Sequence, residues 1–239
     1  MRTVRPFPPA PVLLLALAAA CTEASAPTGV DEEPLSSLPA KSATAGVVTD
    51  DFDLLDPARW LPGDHALGRG RLAPANVSAA GGAAVLTLPA GRYDGAEIRS
   101  AARHGYGSYL ARLRTPLAPG SISAFFLYQG VEGGNDEVDV EIHNDGSRRV
   151  IFTTWVAGKQ TNSVTRTLPF DPAATFHDYR IEYQAGKVRF LVDGALMQQW
   201  TSKLPKNAMY VMTNAWWPIW LSGAPATADV SLRVDRIEY

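Results

Sequence analysis

An alternating run of acidic and apolar residues in the middle of the chain constrains its fold more than any other stretch. Glu137, Asp139 and Glu141 are separated by the β-branched residues Val138 and Val140. Because successive side chains of a β-strand point to opposite faces, this spacing predicts a strand with three carboxylates on one face and the valines in the core. Like charges this close together raise at least one carboxyl pKa, so the strand carries an electrostatic cost.

On these residues alone, three interpretations stay open: a solvent-facing strand with acidic decoration, an acidic calcium patch, or a carboxylate pair for cleaving a glycosidic bond. Retaining glycoside cleavage needs a nucleophile and a protonated acid with carboxyl groups about 5–5.5 Å apart. Four strand residues separate the Cα atoms of Glu137 and Glu141 by roughly 13 Å. Two glutamate side chains leaning together could close this gap, and the shorter Asp139 between them would contact the nucleophile.

Further blocks of sequence accompany the acidic run in a fixed order. They are residues 95–100, 105–109, 121–128, 135–142, 176–183, 192–194 and 212–216. In composition and order these blocks resemble glycoside hydrolase family 16, the group of lichenases, laminarinases, xyloglucan-active enzymes and agarases. The likeness covers roughly residues 50–239.

The resemblance implies a retaining endo-β-glycosidase that hydrolyses a β-linked polysaccharide, with a 1,3-1,4- or 1,3-linked β-glucan as the favoured substrate. In this interpretation Glu137 is the nucleophile, Glu141 is the acid/base and Asp139 orients Glu137. A transglycosylase on the same substrates and a non-catalytic, cell-surface glycan-binding jelly roll are the alternatives. No cofactor is required by this chemistry, and a structural calcium ion has only Asp235 to support it.

By the same resemblance, residues on strands beside the acidic one are expected to bind sugar. Sugar rings stack on aromatic faces and accept hydrogen bonds from planar polar groups. The candidate substrate-binding residues are Glu97, Arg99, Phe126, Tyr128, Trp155, Asn214 and Trp216. Glu97 and Arg99 would bind hydroxyl groups, Asn214 would hydrogen-bond, and the aromatic residues would stack or cap. A core position is the alternative for the aromatic residues, above all for Phe126.

Other residues near this site separate the chain from the lichenase pattern. Asn135 and Thr153 stand where lichenases usually carry Trp and Asn, and Trp155 replaces a usual Tyr, so a differently shaped cleft is expected. The uninterrupted Glu-x-Asp-x-Glu spacing favours the lichenase and xyloglucan branch, because the laminarinase and agarase branch commonly inserts a bulge residue. His143 is expected to be an exposed strand-end histidine. Trp217 and Trp220 fit a loop or rim position and a packing role equally well.

Short alternating runs separated by turn residues continue through the chain and predict an all-β fold. Predicted strands cover residues 83–88, 109–113, 122–128, 150–156, 162–168, 179–183, 188–192, 195–200, 209–216 and 230–239. Asp193-Gly194 is a strong two-residue hairpin signal. This pattern predicts a sandwich of two antiparallel sheets. The resemblance sharpens it to a concanavalin-like β-jelly-roll with a cleft on the concave face, in which aromatic residues of the 50–60 segment pack under the sandwich.

The amino-terminal part of the chain is predicted to direct export. Residues 1–21 combine Arg2 and Arg5 with an apolar run that ends at Cys21, and residues 22–48 form an Ala/Ser/Pro/Glu tether before a catalytic domain at 49–239. We favour a lipid anchor at Cys21 in a bacterial cell envelope, with simple secretion as the alternative. The net charge of −2 gives no basic patch for nucleic acid. The four histidines show no zinc spacing. A monomer is expected.

Overall fold

The computed structural model describes residues 47–131 and 134–239. The predicted export signal with Cys21, and the predicted tether up to residue 46, lie outside the described residues. Within them the chain forms one short 3-10 helix and seventeen strands. The bounds are β1 (Thr49–Asp50), β2 (Trp60–Pro62), β3 (His65–Leu67), β4 (Gly70–Leu72), η1 (Pro74–Asn76), β5 (Val77–Ala79), β6 (Ala84–Leu88), β7 (Ala96–His104), β8 (Gly107–Arg114), β9 (Ile122–Tyr128), β10 (Glu137–His143), β11 (Arg149–Val156), β12 (Lys159–Thr167), β13 (His177–Gln184), β14 (Lys187–Val192), β15 (Ala195–Trp200), β16 (Met209–Trp216) and β17 (Val230–Glu238). No helix in this part of the chain is long and apolar enough to cross a bilayer.

The described strands form two large antiparallel sheets. Sheet I has eight strands in the order β15-β14-β13-β8-β17-β6-β5, with β1 also paired to β17. Sheet II has seven strands in the order β12-β11-β10-β9-β16-β7-β2, and β3 with β4 forms a separate hairpin. The acidic strand β10 therefore lies inside sheet II, with two strands on one side and four on the other.

The alternating sequence pattern explains which face of each sheet is buried. In β13, Tyr179, Ile181 and Tyr183 are fully buried and alternate with less buried polar residues. In β10, Val138, Val140 and Ile142 do the same. The inward side chains of both sheets form one hydrophobic core, and each large side chain buried there contributes about 1.5–3 kcal/mol relative to exposure. The predicted two-sheet antiparallel sandwich is confirmed.

The aromatic residues of the 50–60 segment pack into the sandwich, as expected. Phe52 and Trp60 are both fully buried in the core, with ring centroids 5.6 Å apart. The indole N–H of Trp60 donates to Asp50 at 2.8 Å, and the same carboxyl group accepts from the Phe52 backbone N–H at 3.0 Å. These contacts attach the start of the domain to the hydrophobic core shared by sheet I and sheet II.

Two hairpins show where turn signals succeed and fail. The Asp193-Gly194 turn joins β14 to β15 with both residues at positive φ, 47° and 79°, as the sequence predicts. β12 instead begins at Lys159, three residues earlier than predicted, because Ala157 and Gly158 form another two-residue turn at φ 49° and 73°. Alanine seldom adopts positive φ, so this turn has no clear sequence signal.

Candidate active site

The acidic strand presents its three carboxylates side by side. β10 pairs with β9 and β11 in continuous register from Glu137 to Ile142, without a bulge. Glu137, Asp139 and Glu141 consequently share one face of sheet II, which we call the carboxylate face. The valines between them are buried on the opposite face. The predicted orientation of this strand and its uninterrupted spacing are confirmed.

Cross-strand pairing places other side chains in rows with each carboxylate, because directly opposite residues of antiparallel strands share a face. The row of Glu137 contains Trp155, Tyr128 and Tyr210; the row of Asp139 contains Thr153, Phe126, Met212 and Arg99; the row of Glu141 contains Ile151, Ala124, Asn214 and Glu97; the row of His143 contains Ile122 and Trp216. All seven candidate substrate-binding residues therefore lie on the carboxylate face.

Glu137 and Asp139 form a hydrogen-bonded carboxyl pair. Burial raises the pKa of Asp139 well above its usual range, and the negative charge of Glu137 adds to the effect. The Thr153 hydroxyl donates a hydrogen bond to Asp139, and Thr153 and the Trp155 side chain both lower the pKa of Asp139 against these effects. Burial also raises the pKa of Glu137 to about 7, against the hydrogen bond from Asp139. This pair can share a proton, with Asp139 as donor and Glu137 as carboxylate.

Glu141 is set up to hold a proton at neutral pH. Burial raises its pKa to about 8, and the charge of Asp139 raises it further in the same direction. A carboxyl group with this pKa is the protonated donor that acid catalysis requires. The nucleophile candidate and the acid candidate thus stand on one strand with a shared neighbour between them.

Glu97 and Asn214 come together from β7 and β16, although 117 residues separate them in sequence. The Asn214 side-chain amide donates to Glu97 at 3.1 Å, and both side chains are buried on the carboxylate face. His65 Nε2 lies 3.9 Å from the same carboxyl group. Burial raises the pKa of Glu97 to about 7, against the hydrogen bond from Asn214. The predicted hydrogen-bonding residues Glu97 and Asn214 are therefore paired with each other.

The aromatic candidates on β9 and β16 pack into a small cluster on this face. It contains Ile122, Ala124, Phe126, Tyr128, Tyr210, Met212, Trp216 and Leu221. Phe126 is only 7% exposed and forms part of the floor, whereas Tyr128, Trp155 and Trp216 remain partly exposed. The guanidinium group of Arg99 lies 4.5 Å from the ring centroid of Tyr210, which orients Arg99 across the face.

One expectation about a neighbouring residue is wrong. His143 is not an exposed strand-end histidine: it is 4% exposed, because Trp220 covers it edge-on at 6.1 Å between ring centroids. Burial and the charge of Arg149 lower the pKa of His143, against the charge of Asp145. Of the two positions left open for Trp217, the packing role is the one observed: it is fully buried and packs edge-on against Tyr93, with 5.6 Å between ring centroids.

Trp220, in contrast to Trp217, is exposed to solvent. It is 53% exposed in the loop after β16, beside Ile219 at 65%. Trp220 therefore takes the rim position, while Trp217, three residues earlier, points into the sandwich. Pro218 ends the regular strand between them, so period-two alternation gives no guide to either ring.

Sequence reasoning missed Asp136, which fixes the loop before β10. Its buried carboxyl group accepts hydrogen bonds from the backbone N–H groups of Ala157 at 3.1 Å, Lys206 at 2.9 Å and Asn207 at 3.3 Å, and from the Asn207 side chain at 2.8 Å. No local pattern distinguishes Asp136 from its acidic neighbours. Tyr210 and Met212 were also missed, but their two-residue spacing before Asn214 is a signal that places them on the same face.

Among the residues described here, no group of three or more His, Cys, Asp or Glu side chains has the geometry of a metal site. Asp235 instead accepts a hydrogen bond from Arg112 at 3.1 Å.

Comparison with known proteins shows which family the chain belongs to. A family model described as glycosyl hydrolases family 16 matches residues 72–235. The chain belongs to this family. Among curated relatives, a beta-glucanase of Paenibacillus polymyxa is 32% identical over 134 residues, which cover 55% of this chain and 56% of that enzyme. The endo-1,3-1,4-beta-glycanase ExoK of Rhizobium meliloti is 27% identical over 207 residues, with 80% of this chain and 77% of the relative covered.

Solved structures of the family share the fold. The beta-glucanase of Bacillus licheniformis superimposes with a TM-score of 0.76 at 25% identity, over 82% of this chain and 99% of that one. The fold of this family 16 member is the predicted concanavalin-like β-jelly-roll. The chain matches just over half the length of the P. polymyxa beta-glucanase.

Proposed function

We propose that this protein is a retaining endo-β-glycosidase that hydrolyses a β-linked glucan. The observation that carries the proposal is the unbulged strand β10, which aligns Glu137, Asp139 and Glu141 on one face with raised carboxyl pKa values. A binding module gains nothing from holding three carboxyl groups together at this electrostatic cost. A double-displacement mechanism needs one carboxylate, one carboxylic acid and a means of moving protons between steps.

In the first step, the Glu137 carboxylate attacks the anomeric carbon, and the bond to the leaving oxygen breaks as that oxygen takes the Glu141 proton. Asp139 donates its hydrogen bond to Glu137 and stabilises the charged nucleophile before attack. Once Glu137 is esterified its charge is lost, so Asp139 no longer has a carboxylate to which it can donate. Asp139 keeps its proton at this stage, held in position by the Thr153 hydroxyl, and the negative charge now lies on Glu141.

In the second step, water attacks the same carbon and Glu141, now a carboxylate, takes the water proton. The ester bond to Glu137 breaks, and the sugar is released with its original anomeric configuration. Reprotonated Glu141 and ionised Glu137 restore the starting state. Glu137 and Glu141 each act in both steps. The total charge on Glu137, Asp139 and Glu141 changes little during the cycle.

A β-glucan with 1,3-1,4 linkages is the favoured substrate. The uninterrupted spacing of β10 supports the lichenase-like branch, and the curated relatives include beta-glucanases and an endo-1,3-1,4-beta-glycanase. Thr153 and Trp155 beside the carboxyl groups give this cleft its own shape. Replacement of a lichenase Trp by Asn135 adds to this: its side chain accepts from the Val131 backbone N–H at 2.7 Å and stabilises the loop instead of offering a stacking ring.

The test is a reducing-end assay on lichenan, laminarin, xyloglucan and agarose. We expect release from lichenan, and loss of that release by about 10²–10⁴-fold in Glu141→Gln. Glu182→Gln is the matched control, because Glu182 is a partly buried glutamate of sheet I paired to Arg189 at 2.7 Å. Binding without cleavage of any of the four polysaccharides would refute the hydrolase and favour a glycan-binding jelly roll.

Transglycosylation shares the glycosyl-enzyme and differs only in what resolves it. Stacking of an acceptor sugar on Trp216, Trp217 and Trp220 would favour it, but Trp217 is buried in the core and cannot contact sugar. We therefore propose hydrolysis as the main outcome. Longer products from a labelled oligosaccharide acceptor would reverse this order.

We also propose that the enzyme is exported and held at a bacterial cell envelope through Cys21, with residues 22–48 as a tether. A polysaccharide is too large to enter a cell intact, so cleavage outside the cytoplasm fits the proposed substrate. Metabolic labelling with a fatty acid analogue tests the anchor: Cys21→Ser should abolish labelling. Unchanged labelling would contradict a lipid at this residue.

A further inference from the structure

The direction of a bound polysaccharide follows from the position of the carboxyl groups. Glu137 and Glu141 lie along the axis of β10. In the proposed mechanism they flank the scissile bond, so the sugar chain passes between them and crosses the strands of sheet II. Strands are about 4.8 Å apart, which is close to the length of one pyranose unit in a β-linked chain. Each strand that the chain crosses therefore provides room for about one sugar.

The two sides of β10 differ in extent and in character. On one side lie β9, β16, β7 and β2, where Phe126, Met212, Asn214 and Glu97 form a buried floor with 3–7% exposure. On the other side lie only β11 and the edge strand β12. This shorter side, which we call the edge side, is open to solvent.

The edge strand presents uncharged polar side chains on the carboxylate face. Gln160 is opposite Trp155, and Ser163 is opposite Thr153. Both Gln160 and Ser163 are exposed. A bulge at Thr154/Trp155 makes this possible, because it restores Gln160 to the same face as Ser163 despite the odd spacing.

Other residues of β12 point to the other face and have structural partners. The Asn162 side chain donates to the Thr154 hydroxyl at 2.8 Å and to the Ser202 backbone oxygen at 3.2 Å. Arg166 reaches Gln198 of sheet I at 2.8 Å. The edge strand thus has its packing contacts on one face. On the carboxylate face, the Gln160 amide extends the row of Glu137 and the Ser163 hydroxyl extends the row of Asp139.

We propose that Gln160 and Ser163 form the binding subsite for the leaving half of the glucan, with Trp155 as the wall between this subsite and Asp139. This inference rests on the proposed glycosidase function. The amide and hydroxyl groups suit the hydroxyl groups of a neutral sugar.

The mechanism assigns the leaving half to the edge side. The glycosyl half stays bound to Glu137 between the two steps, so it belongs on the deep, buried floor. The leaving half must dissociate after it takes the Glu141 proton, and water must then enter at the same place. An exposed strand with a few hydrogen-bonding groups allows both events.

The experiment compares two substrates in the double variant Gln160→Ala/Ser163→Ala. The first is lichenan, whose leaving group is a sugar chain. The second is a 4-nitrophenyl β-glycoside of a gluco-oligosaccharide, whose leaving group makes no use of the sugar subsite. We expect kcat/KM on lichenan to fall about 10-fold through loss of two solvent-accessible hydrogen bonds, and kcat/KM on the aryl glycoside to stay within about twofold.

Arg166→Ala is the control, since this side chain leaves the same strand on the opposite face, and it should change neither rate. A second measurement uses the aryl glycoside as donor with an added gluco-oligosaccharide acceptor: the ratio of transfer to hydrolysis should fall in the double variant. An equal loss on both substrates, or an unchanged rate on lichenan, would overturn the subsite. A wild-type protein inactive on every β-glucan would overturn the proposed function itself, and the inference with it.

Discussion

Replacing Glu141 by glutamine should make the protein more stable at alkaline pH while it removes activity. Glu141 has a folded-state pKa raised from 4.5 to about 8 by burial and by the charge of Asp139. Glutamine has nearly the same shape and no charge at any pH. The variant therefore removes the cost of a buried carboxylate from the folded state without opening a cavity.

The sign follows from proton binding. Below pH 4.5 the group is protonated in both folded and unfolded chains and contributes nothing. Between 4.5 and about 8 the folded protein keeps the proton that the unfolded chain has lost, so the free energy of unfolding falls as pH rises. Over this interval, at about 1.36 kcal/mol per pH unit, the loss reaches about 5 kcal/mol. This is a large share of the 5–15 kcal/mol typical of a folded domain.

Urea denaturation of wild type and Glu141→Gln at about pH 4 and about pH 9 measures the effect. The difference in stability between variant and wild type should be larger at about pH 9 by about 5 kcal/mol. Comparing two pH values cancels any packing change caused by the amide. Glu182→Gln should instead lose about 0–1 kcal/mol at both pH values, because it breaks an ion pair that is still partly exposed to solvent. A Glu141→Gln difference that is the same at both pH values would refute the raised pKa.

Three further predictions concern the pKa of Glu141, the hydrogen bonds of Asp136 and the burial of Trp217 and Trp220. The kcat/KM for β-glucan should fall as pH rises through about 8, where Glu141 loses its proton; activity that stays constant to about pH 10 would contradict this assignment. Asp136→Ala should lower the free energy of unfolding by about 3 kcal/mol, because several donors lose their acceptor, and denaturation that matches wild type would argue against that role. Trp217→Ala should cost about 3–5 kcal/mol and Trp220→Ala under about 1 kcal/mol, measured in urea; equal costs would contradict their different burial.

The strand that carries the chemistry was predictable because its signal is local. Alternation of Glu137, Asp139 and Glu141 with valines fixes both the strand and its faces, and each candidate pair two residues apart on a neighbouring strand falls on the same face for the same reason. Register between strands is a different matter. The pairing of Glu97 with Asn214 depends on β7 lying next to β16, which no local pattern records.

Failures of prediction cluster where regular strands end. His143 continues the alternation of β10, yet its burial is set by Trp220 from a loop 77 residues away. Trp217 and Trp220 are separated by a proline, and their opposite environments depend on the path of that loop. Asp136 acts through backbone groups at 157, 206 and 207, so its role is set by the tertiary fold rather than by its neighbours in sequence.

The most direct test of the mechanism is to trap the glycosyl-enzyme. A 2-deoxy-2-fluoro gluco-oligosaccharide with a good leaving group slows the second step more than the first, so the covalent intermediate accumulates. Peptide mass spectrometry of the inactivated protein should find the sugar on Glu137, and Glu137→Gln should remain unlabelled. Labelling of any other residue, or rapid turnover without an adduct under conditions that inactivate a known retaining enzyme, would contradict the account.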